Sequence, residues 1–272
     1  MSAADCHFHI LDPARFPYQT GEVYTPHPSQ AGTADQLLAV FDAHGISHGL
    51  AVGAAPYGDD NRCLLDGIAR SQGRLKGIAL VPHNVSDQEI ARLTDGGIVG
   101  VRINLHNHGL APLLDPGAPA LLARLKAANW FCQIQCQQDQ LAEAMPLLKK
   151  TGVRVMIDHC GRTDPVKGPA SAGFKALLEL GRSGMGVIKL SGPFRFSNLP
   201  YPHADTDAIV HQLIEAFTPD HCVWGSDWPF VRLDMRVDYG PTRAVFDRWV
   251  PEANDRRKIL WETPARLFGF KG

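Results

Sequence analysis

Eight short apolar runs rich in Val, Ile and Leu recur along the chain, and the segments between them carry apolar residues at helical spacing. The runs cover 5–11, 48–54, 75–81, 99–105, 131–136, 153–159, 185–191 and 221–227. The helical segments cover 33–44, 59–71, 86–95, 117–128, 138–150, 170–181 and 204–217, with further helices after 240. Local signals mark several boundaries: Thr33 precedes the first helix, Ser86 stands three residues before Glu89 as in a capping box, and Pro219 stops the seventh. Strands that are apolar nearly throughout need cover on both faces, and alternation with helices makes their sheet parallel. Eight such strands close most economically into a (β/α)8 barrel of the TIM type, an α/β fold. An open doubly wound sheet is the alternative; against it stand the missing G-x-G-x-x-G turn after the first run and the His7-Phe8-His9 found there instead. The segment 13–32, rich in Pro, Tyr and His, predicts an extended loop over the barrel mouth, and loops of that length without regular structure are usually functional.

Composition narrows the function classes. At 272 residues the chain is long enough for a full hydrophobic core, and the expectation is one barrel domain over 1–272. The net charge is -1, from 27 basic and 28 acidic residues with no dense basic run, which leaves no electrostatic footprint for nucleic acid or an anionic membrane. No apolar run approaches the roughly 20 residues of a membrane span, and the amino terminus lacks the regions of a signal peptide, so a cytoplasmic protein is expected. A homo-oligomer is compatible with the sequence. Cys6, Cys63, Cys132, Cys136, Cys160 and Cys222 are scattered, five of them in or beside apolar runs, as small buried thiols are in a reducing compartment. The spacing of Cys132 and Cys136 matches no zinc-ribbon pattern and predicts core packing.

Polar residues interrupt the apolar runs at one end. In a parallel barrel the carboxyl ends of all strands converge on one face, which carries the chemistry. His7 and His9 lie in the first run, Arg102 and Asn104 at the end of the fourth, and Gln133 and Gln135 in the fifth. His159 closes the sixth, Lys189 and then Arg195 follow in the seventh and just beyond, and Asp227 closes the eighth. Side chains two apart on a strand share a face about 6–7 Å from each other, so His7 and His9 could hold one metal ion or one substrate oxygen. Each residue also has an ordinary structural role open to it: a core histidine, Asp158 or Asp227 as a helix cap, Arg102 in a rim ion pair, Lys189 in a buried one. Three histidines and one aspartate on strands one, six and eight nevertheless form a matched set, and the functional reading follows from the set.

The motifs Asp5-Cys6-His7-Phe8-His9, Gly100-Val101-Arg102-Ile103-Asn104, Ile157-Asp158-His159, Lys189-Leu190-Ser191-Gly192-Pro193-Phe194-Arg195 and Trp224-Gly225-Ser226-Asp227-Trp228-Pro229 span nearly the whole chain. With them the chain resembles the amidohydrolase superfamily, in the branch of the 2-pyrone-4,6-dicarboxylate lactonases and related sugar-lactone hydrolases. The resemblance implies a hydrolase that opens a small anionic lactone. His7, His9 and His159 would surround the scissile carbonyl oxygen, and Asp227 would take a proton from water. Arg102 and Arg195 would hold substrate carboxylates, with Tyr24 from the mouth loop as a further donor. Ester hydrolysis independently needs a base for water and a donor-rich place for the oxyanion, which this constellation supplies.

Two departures from the lactonase pattern matter. The turn His106-Asn107-His108 replaces a second arginine after the fourth strand, so His108 is the expected contact there and the exact diacid stays open. Gln133 and Gln135 stand where other amidohydrolases carry a metal-bridging Lys or Glu, which argues against a two-metal site and makes Gln135 a substrate-facing residue. The resemblance favours a site without metal; the alternative is a single divalent ion such as zinc on His7, His9, His159 and Asp227. Decarboxylation, hydration and lactone isomerisation are other chemistries for this scaffold. A non-catalytic acid-binding barrel is the alternative outside enzymes, and Asp227 argues against it, because a carboxylate at the pocket centre repels an anionic ligand.

Overall fold

The computed structural model describes residues 2–21 and 24–272. Its centre is an eight-stranded parallel sheet in the order β1 to β8: β1 Ala4–Phe8, β2 His48–Val52, β3 Leu75–Ala79, β4 Ile98–Asn104, β5 Phe131–Gln135, β6 Arg154–Ile157, β7 Gly186–Ser191 and β8 Cys222–Gly225. Just beyond β8 the sheet meets its first strand, where Asp227 N donates to His7 O (2.7 Å) and His9 N to Trp228 O (2.8 Å). All eight predicted runs are therefore strands of one nearly closed barrel, surrounded by helices.

The helices begin where side chains can satisfy their first amides. Thr33 accepts from Gln36 N (3.3 Å), with the Gln36 side chain accepting from Thr33 N in return, and Ser86 accepts from Glu89 N (3.1 Å). The second and seventh outer helices start later than their predicted 59 and 204, at Arg62 and Asp207. In both places a short 3-10 turn, Ala55–Tyr57 and Ala204–Thr206, takes up part of the connection. In the predicted mouth loop, Leu11 and Gly32 pair in an antiparallel bridge and Pro28–Gln30 forms a short turn; residues 22 and 23 lie outside the described residues.

The inward columns of the strands change character with height. One cluster of Ala4, Cys6, Leu50, Val52, Ile78, Phe131, Met156, Val187 and Val223 fills the amino-terminal half of the barrel, and Phe268 and Phe270 close its floor. Two residues further along several strands, the same column becomes polar: Phe131 is followed by Gln133 and Gln135, Met156 by Asp158, and Val187 by Lys189 and Ser191. A strand period of two thus lifts polar groups above an apolar floor at the carboxyl end. The other faces of the strands pack with the helices in a second cluster that includes Leu37, Phe41, Ile157, Ile188, Leu190 and Trp224. All six cysteines are free and buried, and among the described residues no helix is long and apolar enough to cross a membrane.

Candidate active site

The irregular path of β1 delivers His7 and His9. Cys6 packs with the barrel floor and Phe8 with the outer layer, although both are even-numbered, and the register against β2 shifts between Asp5 and Phe8. Asp5 anchors this bend: it accepts from the amides of His7 (3.1 Å) and Ser226 (3.0 Å) and from the Tyr239 hydroxyl (2.8 Å). Burial pushes the Asp5 carboxyl up to about 6, against the pull of those hydrogen bonds. Across the closing edge, a Cβ on Gly225 would meet His7 Cβ at 2.5 Å, so the glycine makes room for His7. His159 enters the site from a turn in which His159, Cys160, Gly161 and Arg162 all have positive φ, between 46 and 65°. Asp227 adopts φ 66°. Left-handed backbone at a non-glycine residue costs about 1–2 kcal/mol, and such cost collects where side chains must be aimed at a site.

Three imidazoles converge on one carboxylate oxygen. The Nε2 atoms of His7, His9 and His159 lie 3.6, 3.8 and 3.9 Å from Asp227 Oδ1. The far nitrogens are held from behind: His9 Nδ1 donates to Val52 O (2.8 Å), and His159 Nδ1 shares a hydrogen bond with Ser191 Oγ (2.9 Å). The other Asp227 oxygen accepts from Arg195 Nε (2.7 Å), whose Nη2 donates to Val231 O (2.9 Å). Below them a second carboxylate, Asp158, accepts from Arg102 Nε and Gln133 Nε2, both at 3.1 Å. Lys189 Nζ lies 3.6 Å from its other oxygen.

Burial dominates the titration of this cluster. It pushes His9 down to about 4, aided by Arg102, and holds His7 and His159 well below the usual histidine range, so all three rings are neutral at pH 7. Burial would raise Asp227, but Arg195 and the surrounding imidazoles outweigh it and bring the carboxyl to about 2. The base is ionised at any ordinary pH. Burial also takes Lys189 down to about 8, with Asp158 opposing the change.

Above the histidines a cavity of about 290 Å³ opens at the barrel mouth, bounded by His9, Tyr24, Gln135, His159 and Asp227 and by four arginines, Arg102, Arg162, Arg195 and Arg232. Of the sequence-predicted residues, the cavity brings together His9, His159, Asp227, Arg102, Arg195, Tyr24 and Gln135, with His7 directly behind. His108 is not among them. The chain after β4 forms a short helix, Leu105–His108, which turns His106 and Asn107 to the cavity and leaves His108 exposed. The expected carboxylate holders are also already engaged, Arg102 by Asp158 and Arg195 by Asp227.

Sequence reasoning missed Arg162 and Arg232. Arg162 Nη1 lies 3.0 Å from His106 Nε2, its Nε has no hydrogen-bond partner, and burial next to Arg195 brings it down to about 10. The Arg232 guanidinium sits 4.9 Å from the centre of the Tyr24 ring. Among the described residues neither arginine has a carboxylate within ion-pair distance. Both follow a barrel-end motif residue within five positions, at 159 and 227, which is the signal that could have found them.

The donor set fits one divalent cation. Ligand atoms of His7, His159 and Asp227 all lie within 4.8 Å of one another, and His7 Nε2 is buried without a hydrogen-bond partner. Tetrahedral zinc with bonds near 2.0–2.1 Å would set its ligand atoms about 3.3–3.4 Å apart, slightly closer than the 3.6–3.9 Å found around Asp227 Oδ1. Gln133 and Gln135 bring no charge, and no second metal-binding group occurs among the described residues.

Over 273 residues the chain is 32% identical to the 4-sulfomuconolactone hydrolase of Rhizobium radiobacter, covering 98% of this chain and 90% of that one. It is 28% identical to the 2-pyrone-4,6-dicarboxylate hydrolase of Comamonas testosteroni, with the same coverage. The crystal structure of a probable 2-pyrone-4,6-dicarboxylic acid hydrolase from Acinetobacter baumannii, with citric acid bound, superposes with a TM-score of 0.91 at 29% identity, over 99% of this chain and 100% of that one. The amidohydrolase family model matches residues 4–270, and the chain belongs to that family of hydrolases.

Proposed function

We propose that this hydrolase opens a small lactone bearing anionic groups. The observation that carries the reading is one ionised carboxylate ringed by three imidazole nitrogens, at the foot of a cavity lined by four arginines. Asp227, ionised at its depressed pKa, accepts a proton from a water, whose oxygen adds to the lactone carbonyl. The imidazoles and the guanidiniums face the oxyanion that develops. When the tetrahedral centre collapses, the bond to the ring oxygen breaks and the proton held by Asp227 passes to the leaving alkoxide or enolate. Arg162 and Arg232 supply positive charge for substituents of the ring, since Arg102 and Arg195 are already paired.

The convergence of the three Nε2 atoms on Asp227 Oδ1 also supports a cation-assisted form of the same reaction. A divalent ion held by His7, His9, His159 and Asp227 would polarise the carbonyl and lower the pKa of water. Following depletion of carboxylated and sulfonated lactones directly, with and without chelator, tests both statements. Turnover of none of them refutes the lactonase reading. Loss of turnover on chelation, restored by one zinc per chain, selects the cation-assisted form, and turnover that persists selects the imidazoles alone.

A further inference from the structure

Behind His7, on the side away from Asp227, lies Lys189, 3.3 Å from its Nδ1. Lys189 is fully buried, and its ammonium has three N–H groups and no lone pair. Three acceptors surround it: Gln133 Oε1 at 2.7 Å, His7 Nδ1 at 3.3 Å and Asp158 Oδ1 at 3.6 Å. His7 Nδ1 also lies 3.2 Å from Asp158 Oδ1, yet that oxygen takes part in no hydrogen bond. The hydrogen bond that Nδ1 does make is with a group able only to donate, so Nδ1 accepts and the single proton of the neutral ring sits on Nε2.

We propose that Lys189 is a positioning residue that holds His7 in the Nε2–H form and thereby keeps the affinity of the cluster for a divalent cation low. In this form His7 turns a donor toward Asp227, 3.6 Å from its Oδ1. A cation needs the Nε2 lone pair instead. To provide it, the proton must move to Nδ1 and be donated in a hydrogen bond to Asp158 Oδ1, with Lys189 withdrawing from Nδ1. The ammonium also repels a dication directly, and only the single charge of Asp227 among the cluster ligands opposes that repulsion. A metal therefore binds here exchangeably, in competition with Lys189.

Two measurements test this, and neither uses a lactone, so their outcome is separate from that of the proposed hydrolysis. In the first, ¹⁵N-edited spectra of the metal-stripped wild-type protein, with His7 assigned by the loss of its signals in His7→Asn, report which ring nitrogen carries the proton. A protonated Nε2 is expected, and a protonated Nδ1 overturns the proposal whatever the variants do. In the second, zinc competes with a chromophoric chelator for wild type and Lys189→Met. Arg102 and Gln133 still hold Asp158 in the variant. Zinc affinity should rise about tenfold or more, the usual scale for groups that orient a metal ligand, with the His7 proton moving to Nδ1. Unchanged or weaker affinity in a folded Lys189→Met protein refutes the role.

Discussion

Asp227 and Arg162 separate the chemistry from the recognition. Replacing Asp227 by Asn keeps size and shape but removes the acceptor for the water proton, and loss of general-base catalysis costs about 10²- to 10⁴-fold. The expected result is that fall in kcat with ligand binding retained, measured by turnover and by product titration on the same preparation. Arg162→Met should act on KM instead. It removes a cavity-lining guanidinium with no carboxylate partner among the described residues, so a dianionic lactone should lose roughly ten- to a hundredfold in kcat/KM, while an uncharged lactone changes little. Equal losses for both substrates would make Arg162 structural. His7, His9, His159 and Asp227 were legible in the sequence because polar groups that end apolar strands are rare and theirs fall on one face. Arg162 was not, because an arginine in a loop is ordinary until the left-handed turn at 159–162 aims it inward. His108 was misplaced for a related reason: the one-turn helix Leu105–His108 has no periodicity long enough to reveal its phase.

At the scale of elements, the strands were legible because they are buried on both faces and so read as apolar runs, each closely matching an observed strand. Their outward and inward columns could also be separated by a period of two, except in β1. There the register shift between Asp5 and Phe8 leaves no mark in the apolar pattern; its cause is the three donors that Asp5 gathers from His7, Ser226 and Tyr239, far apart in the chain. The same junction gives an element-scale prediction. A methyl group on Gly225 would lie 2.5 Å from His7 Cβ and 2.8 Å from His7 N, and the second of these is backbone that cannot rotate away. Gly225→Ala should therefore force β1 and β8 apart locally, destabilise the protein by about 1–3 kcal/mol and lower kcat through the displaced His7. Thermal unfolding and turnover of the same variant check this; unchanged values for both would mean that the two strands yield freely at the site.

For the whole molecule, closing the barrel takes three imidazoles out of water, and this couples the fold to pH. In the folded chain His9 is held at about 4 by burial and by Arg102, below its ordinary 6.5, and His7 and His159 are shifted the same way. A depressed histidine favours the folded state while the ring is neutral, so its contribution is full above 6.5 and is lost as pH falls from there through the folded value. For His9 alone the drop from 6.5 to about 4 corresponds to about 3 kcal/mol. Asp5 works in the opposite sense. Raised from 3.8 to about 6, it favours the fold most when protonated and so returns about 3 kcal/mol on acidification across that interval. One carboxyl offsets one of the three rings, which leaves a net loss. Asp227, lowered to about 2, adds a further loss only below 3.8. Stability of the metal-stripped protein should thus hold from pH 8 to 7 and decline steadily between 6.5 and 4, as read from urea unfolding midpoints in the presence of chelator. His9→Gln should show a shallower decline over the same interval, because one of the rings that must charge is gone. A profile flat from pH 7 to 5 would mean that the rings titrate in the folded chain as they do in the unfolded one, and burial would then not be what keeps the imidazoles around Asp227 neutral.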